Sequence, residues 1–390
     1  MRIVQLTTDN REHFGDYSNP QPWFGTAPAA LLSGFARFPK VEVHVVSCVR
    51  QPVISPKKIA PNIFYHSLIV PKLGWLRTGY QGCIRAVRKK LREIQPDIVH
   101  GQGTERDCAM SAVFSGFPNV LTIHGNMQAV AEFYRARPGS YYWLAARLET
   151  FTLRHTSGVF CNSAYTENLV APRARKIWRV PNALRPEFFT APPPPRHSAA
   201  PVLLNVGVTQ PYKRQRELLA VAENLHRRGL KFEIWFAGDP AANTEYGAAF
   251  AQQLAAAQAA GYARHLGKLS TPQLIAAMDA ATALLHFSAE EAFGLVVAEA
   301  LARNLKFFGA ATGGVVDIAT GVDGAALFPG DNFTTLENAI ADWIKAGCPP
   351  PPAAAQTMRE RYHPETIARR HLEIYHEVLN RRPPATDLLA

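Results

Sequence analysis

Short apolar runs rich in β-branched residues alternate with longer amphipathic stretches along the first half of the chain. Seven of these runs have the length and composition of strands: 3–6, 41–46, 63–69, 98–100, 120–124, 159–162 and 178–180. Residues with helical spacing fill most of the intervals, for example 27–38 and 81–94. Strands that alternate with helices in this way predict βαβ units on a mostly parallel sheet.

The same alternation begins again in the second half. The predicted strands are 202–206, 232–237, 264–266, 282–287 and 306–308. The predicted helices are 213–228, 245–259, 271–280 and 295–303, followed by a long terminal helix from about residue 358 to 379. The second half therefore predicts another parallel α/β sheet.

A proline-rich segment separates the two halves. Four consecutive prolines within 190–201 exclude a continuing helix or a central strand, so this segment is predicted to be a linker. The first domain is then 1–189, the second is 202–355, and a C-terminal helix occupies 356–390. Two doubly wound domains of similar size predict a cleft between them, with ligands at the carboxyl ends of the strands.

Composition narrows the class of protein. Of the 390 residues, 47% are hydrophobic and 19% are charged, as in ordinary globular enzymes. The chain contains no apolar run of 18 residues and no signal-peptide pattern, so we expect a cytoplasmic protein without a membrane span. Its five cysteines are dispersed and never form a Cys-x-x-Cys pair, which argues against a disulfide framework or a structural zinc site.

The net charge of +11 is unevenly distributed. Residues 1–185 contain 24 Lys and Arg against 11 Asp and Glu, a net charge of +13, whereas the remaining residues carry −2. One interpretation is an anionic partner of the first half, such as a membrane surface, a phosphorylated acceptor or a nucleic acid. The other is a basic surface that is simply solvated, and the sequence leaves both open.

One stretch of the second half contains carboxylates that a plain core helix does not need. SAEEAFGLVVAEALARN, residues 288–304, follows a predicted strand, so Glu291 lies on the loop at the strand's carboxyl end and Glu299 on the next helix. The free N–H groups at the start of that helix favour phosphate. Backbone donors for a diphosphate, together with two carboxylates for hydroxyl groups, suit a nucleotide-sugar. A solvated surface position is the alternative for each carboxylate.

This stretch resembles the Glu-x7-Glu signature of retaining glycosyltransferases of the family 4 type, which have the GT-B fold. Other segments are similar to motifs of that family: Asn205-Val-Gly207 with Lys213, Gly313-Gly314 with Asp317, Val180-Pro-Asn182, and the region 279–304. The resemblance is strong over 202–330 and weaker in the first half. It implies two Rossmann-like α/β domains facing a central cleft, with the C-terminal helix packed back on the first, acceptor-binding domain.

The resemblance also implies roles for individual residues. Glu299 would bind the donor ribose, Glu291 the transferred sugar, and Lys213 the leaving diphosphate. The other implied donor-binding residues are Gly207, Arg214, Phe293, Gly294, Leu295 and Val296. The implied reaction is transfer of a hexose from a nucleotide-sugar, usually a UDP-sugar, with retention of anomeric configuration and without a metal or cofactor. In the front-face mechanism discussed for this family, the leaving diphosphate takes the acceptor proton.

The phosphate loop departs from the family pattern. The arginine that usually follows its glycine is replaced by Val208. Arg214 or Arg216 is expected to supply the missing charge, and Arg214 is preferred because it adjoins Lys213. Without such a residue, the diphosphate would bind more weakly or the donor would differ. Two other motifs differ by one residue each, with Asp317 for Glu and Ala183 for Gly.

Three features of the first half match the acceptor side of such an enzyme. The neutral ring of His124, at a strand end, is expected to contact a sugar hydroxyl as a donor, with simple packing as the alternative. Gly25 and Thr26 resemble the family's glycine-rich loop without its usual Gly-Gly, and Thr26 is the predicted N-cap. The long connection from Thr8 to Gly25 is a candidate acceptor-binding element. For His100, at another strand end, packing is the favoured interpretation.

The helix predicted at 81–94 has one apolar and one basic face. The basic residues are Arg85, Arg88, Lys89, Lys90 and Arg92. A basic amphipathic helix can lie on an anionic membrane, and the preceding segment LIVPKLGWLR adds apolar and aromatic residues. A helix packed on its sheet with a solvated outer face is the alternative.

Other functions receive less support. Asp-x-Asp is missing, as are the motifs of P-loop NTPases, dinucleotide-binding folds, zinc proteases and serine hydrolases. We retain as alternatives a sugar-nucleotide epimerase or a phosphorylase on the same fold, and a non-catalytic protein that binds membranes or nucleic acid through its basic half. The expected partners are a nucleotide-sugar donor and a carbohydrate, lipid-linked or small-molecule acceptor, with no nucleic acid.

Overall fold

The computed structural model describes residues 1–190 and 200–380. The chain divides into two compact units, of which one comprises Met1–Arg185 and the residues from Tyr362 onward, and the other is Pro186–Arg361. Most of the predicted linker at 190–201 lies outside the described residues.

The first unit is built on an eight-stranded sheet. Its strands are β1 (Arg2–Leu6), β2 (Glu42–Val49), β3 (Lys58–Ala60), β4 (Ile63–Ile69), β5 (Ile98–Gln102), β6 (Asn119–Ile123), β7 (Val159–Cys161) and β8 (Ile177–Arg179). They are ordered β3-β4-β2-β1-β5-β6-β7-β8, and the pairs are parallel apart from β3 with β4. The strand order reverses between β1 and β5, which is where a doubly wound sheet opens a ligand crevice at its carboxyl edge.

Helices connect these strands. They are α1 (Asn10–Phe14), α2 (Thr26–Phe35), α3 (Gln81–Ile94), α4 (Asp107–Val113), α5 (Met127–Phe133), α6 (Tyr141–His155) and α7 (Ala164–Val170). The bounds of α3 are those predicted, and its apolar face is buried on the sheet. Within the described residues, no helix combines the length and apolarity that crossing a bilayer requires.

The second unit has a six-stranded sheet in which all pairs are parallel. Its strands are β9 (Val202–Val206), β10 (Glu233–Ala237), β11 (Ala263–Gly267), β12 (Ala283–His286), β13 (Lys306–Ala310) and β14 (Ala325–Phe328). Its helices are α8 (Gln215–Arg227), α9 (Glu245–Ala259), α10 (Thr271–Ala280), α11 (Leu295–Ala302), α12 (Gly314–Ala319), α13 (Phe333–Lys345) and α14 (Ala354–Tyr362). The strand order is β11-β10-β9-β12-β13-β14, so the reversal falls between β9 and β12.

The predicted class of two parallel α/β sheets is confirmed, while three predicted elements are corrected. The single terminal helix is two helices, α14 and α15 (Pro364–Asn380), because Pro364 has no N–H to continue the helical bonds. The helix predicted at 213–228 begins at Gln215, after a 3-10 turn at Pro211–Lys213. Gly25, not Thr26, is the N-cap of α2, and no side chain caps that helix.

The C-terminal helix α15 belongs to the first unit and packs on α2. Tyr375 of α15 is fully buried, and its ring stacks at 6.3 Å between centroids on Phe35 of α2. Residues of both helices share one hydrophobic core with β1, β2 and β5. This packing brings a tyrosine hydroxyl into the interior beside the central strands.

The long connection between β1 and α2 is anchored by a buried ion pair. The Arg11 side chain is 2% exposed, and its guanidinium lies 2.7 Å from the Asp9 carboxylate. It also donates to the backbone carbonyls of Asn19, Pro20 and Ile54 at 3.0–3.1 Å. Through these bonds the buried guanidinium links the start of the connection to its middle and to the segment before β3.

Candidate functional site

A loop of the second unit carries Glu291 at the carboxyl end of β12. The backbone carbonyl of Glu291 accepts from the N–H of Gly314 at 2.9 Å, and Ala289 donates to the carbonyl of Tyr212 at 2.7 Å. A Cβ at Gly313 would lie 1.9 Å from the Glu291 carbonyl oxygen, so glycine is required there. The Gly313-Gly314 turn therefore fixes the backbone that presents the carboxylate.

Glu291 forms the centre of a three-residue cluster. Its Oε2 lies 2.5 Å from Nζ of Lys213 and 3.1 Å from Nε2 of His286. Lys213 follows β9 and Glu291 follows β12, and the two meet because β9 and β12 are parallel neighbours. The cluster thus sits at the point where the strand order reverses. Lys213 and Glu291 keep 18% of their side-chain surface exposed, so the pair remains accessible.

At neutral pH the carboxylate of Glu291 is charged and the ring of His286 is not. Burial raises the pKa of Glu291, but the hydrogen bond from His286 and the charge of Lys213 outweigh it and lower that pKa to about 2. Burial also lowers the pKa of His286, more than the neighbouring carboxylate raises it. The arrangement is therefore an ionised carboxylate that accepts from an ammonium and from a neutral imidazole.

His286 was not among the residues predicted from the sequence. It is the last residue of β12 and only 3% exposed, with its ring aimed at the loop that follows. The available signal was its position, because a histidine at the carboxyl end of a buried strand lies at the edge where ligands bind. Its neighbours in the sequence LLHF are apolar and suggest an ordinary core position.

The helix α11 begins directly after this loop. Its N-cap is Gly294, which has φ +96°, a conformation that favours glycine. The N–H groups of Leu295 and Val296 have no backbone acceptor in the described part of the chain. These are donors of the kind that bind phosphate. Phe293 is buried, and Glu299 lies on the same helix with 3% exposure.

The predicted substitute for the missing arginine points elsewhere. The Arg214 guanidinium lies 2.6 Å from Oδ1 of Asp331 and also donates to the carbonyl of Gly330, both on the segment after β14. Arg216 donates to Oε1 of Gln253 at 3.0 Å. Lys213 is therefore the predicted cation that lies against Glu291. Val208, which replaces the usual arginine, is 47% exposed.

Gly207 directly follows β9, at the start of the loop that leads to Lys213. Its N–H donates to the carbonyl of Ala237 at 2.9 Å, which continues the pairing of β9 with β10. The 3-10 turn that follows brings the chain back to the sheet edge, and Lys213 is its last residue. The carbonyl of Val208 accepts from Nε2 of Gln215 at 3.0 Å, which ties the turn to the start of α8.

In the first unit, His124 follows β6 at the carboxyl edge. Its Nε2 lies 3.0 Å from Oε1 of Gln102, at the end of β5. An amide oxygen only accepts, so Nε2 carries the proton. Burial lowers the pKa of His124 to about 4, and the ring is neutral at pH 7. The predicted neutral form agrees with this pKa, but the other nitrogen, Nδ1, is then an acceptor rather than the expected donor.

The other predicted residues of the first unit differ in accessibility. Gly25 is half-buried and Thr26 is exposed at the start of α2. In the preceding connection, Trp23 is 43% exposed and stacks on Phe14 at 5.0 Å between centroids. His100 is fully buried, as the packing interpretation expects.

Two cysteines that are far apart in the sequence lie together. Cys48, Cys83 and Asp107 are buried, and their potential metal-binding atoms are all within 4.8 Å of one another. The dispersed spacing had argued against such a group. The hydrogen bond with Cys83 and burial raise the pKa of the Cys48 thiol well above its usual range. A thiol that resists ionisation fits core packing better than metal binding, which requires the thiolate.

The sequence matches two family descriptions. Residues 29–188 match Glycosyltransferase Family 4, and residues 191–361 match Glycosyl transferases group 1. The two matches adjoin and together extend over most of both units. No curated protein matches the chain.

Solved structures share the fold of both units. Sucrose-phosphate synthase from Thermosynechococcus elongatus is 16% identical, with 98% of this chain and 100% of that chain covered and a TM-score of 0.72. HepE of Anabaena, in complex with UDP-glucose, is 16% identical with 97% and 100% covered and a TM-score of 0.69. The lipopolysaccharide outer core galactosyltransferase WaaB, in its apo form, is 17% identical with 97% and 100% covered and a TM-score of 0.68.

We predict that the ammonium of Lys213 keeps Glu291 ionised. In Lys213→Met the Glu291 pKa should rise by roughly 1–3 units, because an opposite charge at this distance lowers a carboxyl pKa by that amount. The measurement is a carbon-13 NMR titration of glutamate side chains, with the Glu291 signal assigned from Glu291→Gln. The wild-type midpoint should lie near pH 2, and the midpoint of the variant should lie between about pH 3 and 5.

Lys231→Met, which removes an exposed lysine of the same unit, is the matched control and should leave the signal unchanged. If the Glu291 midpoint in Lys213→Met equals that of the wild type, the ammonium does not lower the Glu291 pKa.

Proposed function

This chain belongs to the GT-B glycosyltransferases of the family 4 type, and we propose that it transfers a sugar from a nucleotide-sugar to an acceptor hydroxyl with retention of anomeric configuration. Glu291, Lys213 and the start of α11 form the donor site in this proposal. The observation that carries it is the Lys213–Glu291 contact of 2.5 Å beside the amides of Leu295 and Val296, which find no backbone acceptor among the described residues.

Lys213 has the charge and position to hold a leaving diphosphate. The diphosphate gains negative charge as its bond to the sugar breaks, so a fixed cation stabilises the transition state more than the bound donor. The amides of Leu295 and Val296 add donors aligned with the dipole of α11. These groups supply the charge that a metal supplies elsewhere, so we propose a reaction without metal or cofactor.

Glu291 acts on the transferred sugar and Glu299 on the ribose in this proposal. The carboxylate of Glu291 is ionised, and its Oε2 already accepts from Lys213 and His286. An oxygen that already accepts two hydrogen bonds is a poor covalent nucleophile, and the other carboxylate oxygen, Oε1, can accept from a sugar hydroxyl. This favours a front-face mechanism, in which the bond from C1 to the diphosphate breaks, the bond to the acceptor oxygen forms, and the diphosphate takes the acceptor proton.

The donor base and the sugar are proposed from a neighbour. The HepE structure contains UDP-glucose, which makes a UDP-hexose the first donor to test here. The first unit then binds the acceptor, a carbohydrate, a lipid-linked molecule or a small molecule. His124 and the connection that carries Trp23, Gly25 and Thr26 lie at the carboxyl edge of its sheet and are the proposed contacts.

A second proposal concerns the membrane surface. Arg85, Arg88, Lys89 and Arg92 of α3 are exposed, whereas Lys90, the fifth residue of the predicted basic face, is half-buried and paired with Glu93. Just before this helix, Ile69 is 57% exposed and Leu73 is 76% exposed. Exposed apolar side chains in the segment that precedes an exposed basic helix face suit an anionic lipid surface, to which each basic residue contributes about 1 kcal/mol. We propose peripheral association with such a surface through this region.

Nucleotide-sugars that contain one particular base should raise the melting temperature of the protein. A ligand present at about 100 times its Kd contributes about 2.7 kcal/mol to native stability. A thermal-shift screen of UDP-, GDP-, ADP- and dTDP-sugars makes the measurement. Lys213→Met should lose the response, whereas Arg214→Ala should weaken it less, since the Arg214 charge is already paired with Asp331.

Lys231→Met, the control of equal charge, should respond like the wild type. A screen in which no nucleotide raises the melting temperature would contradict the donor site. Conversion of the donor to an isomer in the absence of any acceptor would support the epimerase alternative instead.

The membrane proposal predicts salt-dependent sedimentation with vesicles of phosphatidylglycerol and phosphatidylcholine. The wild type should bind at low salt and be released near 1 M salt, where the Debye length is about 3 Å. Arg88→Glu with Arg92→Glu should abolish binding, and Leu73→Asp should weaken it. Arg227→Glu with Lys231→Glu changes the charge equally on exposed residues of the second unit and should bind normally. Equal loss in both charge variants would remove the proposed surface.

A further inference from the structure

A continuous chain of buried side chains connects α15 to His124. Nε2 of Gln5 lies 3.0 Å from the Tyr375 hydroxyl, and Nε2 of Gln102 lies 2.7 Å from Oε1 of Gln5. Oε1 of Gln102 then lies 3.0 Å from Nε2 of His124. Gln5 and Gln102 are 2% and 6% exposed, so water does not substitute for these bonds.

The other end of the chain is equally well paired. The Tyr375 hydroxyl lies 2.5 Å from Nδ1 of His100, and Nε2 of His100 lies 2.7 Å from Oγ1 of Thr122. Burial lowers the pKa of His100 well below its usual range, so this ring is neutral and has one donor and one acceptor nitrogen. Since the hydroxyl accepts from Gln5, its own proton is free to bond Nδ1 of His100. Nε2 of His100 then donates to Thr122.

Every donor in the chain points in one direction. The order of donation is His124 to Gln102, Gln102 to Gln5, Gln5 to Tyr375, Tyr375 to His100, and His100 to Thr122. Each amide uses its oxygen on one side and its nitrogen on the other. Rotating one amide alone would bring two acceptors or two donors together, so the members are coupled.

We propose that Tyr375, Gln5 and Gln102 are positioning residues that hold His124 as the Nε2–H tautomer and so present Nδ1 as an acceptor for a substrate hydroxyl. Among the described residues, Nδ1 of His124 has no hydrogen-bond partner, and this atom is not fully buried. A nitrogen that is accessible and carries a lone pair accepts a hydroxyl proton in a hydrogen bond. The C-terminal helix thereby sets the chemistry of a residue at the carboxyl edge.

This inference rests on the proposed function and deepens it, because His124 is its acceptor-side residue and the substrate hydroxyl is that of the acceptor. The tautomer itself is a property of the ligand-free protein. A test that reads the tautomer directly therefore keeps the two proposals separate: the chain can be right even if no nucleotide-sugar is turned over.

The experiment is long-range proton–nitrogen NMR on the full chain labelled with nitrogen-15 histidine at pH 7.5, with His124 assigned from His124→Asn. The wild type should give the Nε2–H pattern alone. Tyr375→Phe removes one hydroxyl at the far end of the chain and frees both amides to rotate. It should lower the ratio of the two tautomers about tenfold, which equals about 1.4 kcal/mol.

Two variants of Gln102 separate its hydrogen bond to His124 from its contribution to packing. Gln102→Leu should lose the tautomer preference, whereas Gln102→Glu keeps an acceptor at Nε2 and should retain it. Val378→Ala, on α15 but outside the chain, controls for loss of packing and should leave the His124 spectrum as in the wild type. Amide hydrogen exchange verifies that each variant is folded.

The proposal is overturned if wild-type His124 is the Nδ1–H tautomer. It is also overturned if Tyr375→Phe and Gln102→Leu both keep the pure Nε2–H pattern. If the tautomer shifts as expected but no nucleotide-sugar binds in the thermal screen, the positioning chain stands and the proposed glycosyl transfer fails.

Discussion

The contact between Lys213 and Glu291 is the interaction on which the account of the second unit depends. It joins the ends of β9 and β12, two parallel neighbours at the reversal of the strand order. The Gly313-Gly314 turn, the 3-10 turn before Arg214 and the start of α11 all serve to bring these two charges to one edge. Because the pair is accessible, each partner can exchange its contact for a ligand group.

In the first unit, the strands at the reversal of the strand order carry buried polar side chains. Its central strands β1 and β5 carry Gln5, His100 and Gln102 inside the sheet, where an unpaired polar group costs about 1–3 kcal/mol. α15 supplies the hydroxyl that completes their pairing. The same helix closes the hydrophobic core on α2. The packing of α15 is therefore linked to which ring nitrogen of His124 carries the proton.

The sequence was sufficient for the architecture and for part of the site. Periodicity predicted most strands and helices, and motif resemblance singled out Glu291 and Lys213, which meet in space. The sequence did not indicate His286, whose neighbours in the chain are apolar, and it did not indicate the contact of Arg214 with Asp331. It missed the chain from Tyr375 to His124 because those residues are up to 370 positions apart. Contacts that depend on tertiary packing leave no local pattern.

The most direct test of the donor site is a map of amide NMR shifts on adding the nucleotide-sugar that stabilises the chain most. We expect the amides of Leu295 and Val296 to shift first and the Glu291 carboxylate signal to change as Lys213 turns to the diphosphate. Saturable binding that leaves these amides and Glu291 unchanged would contradict the proposed donor site.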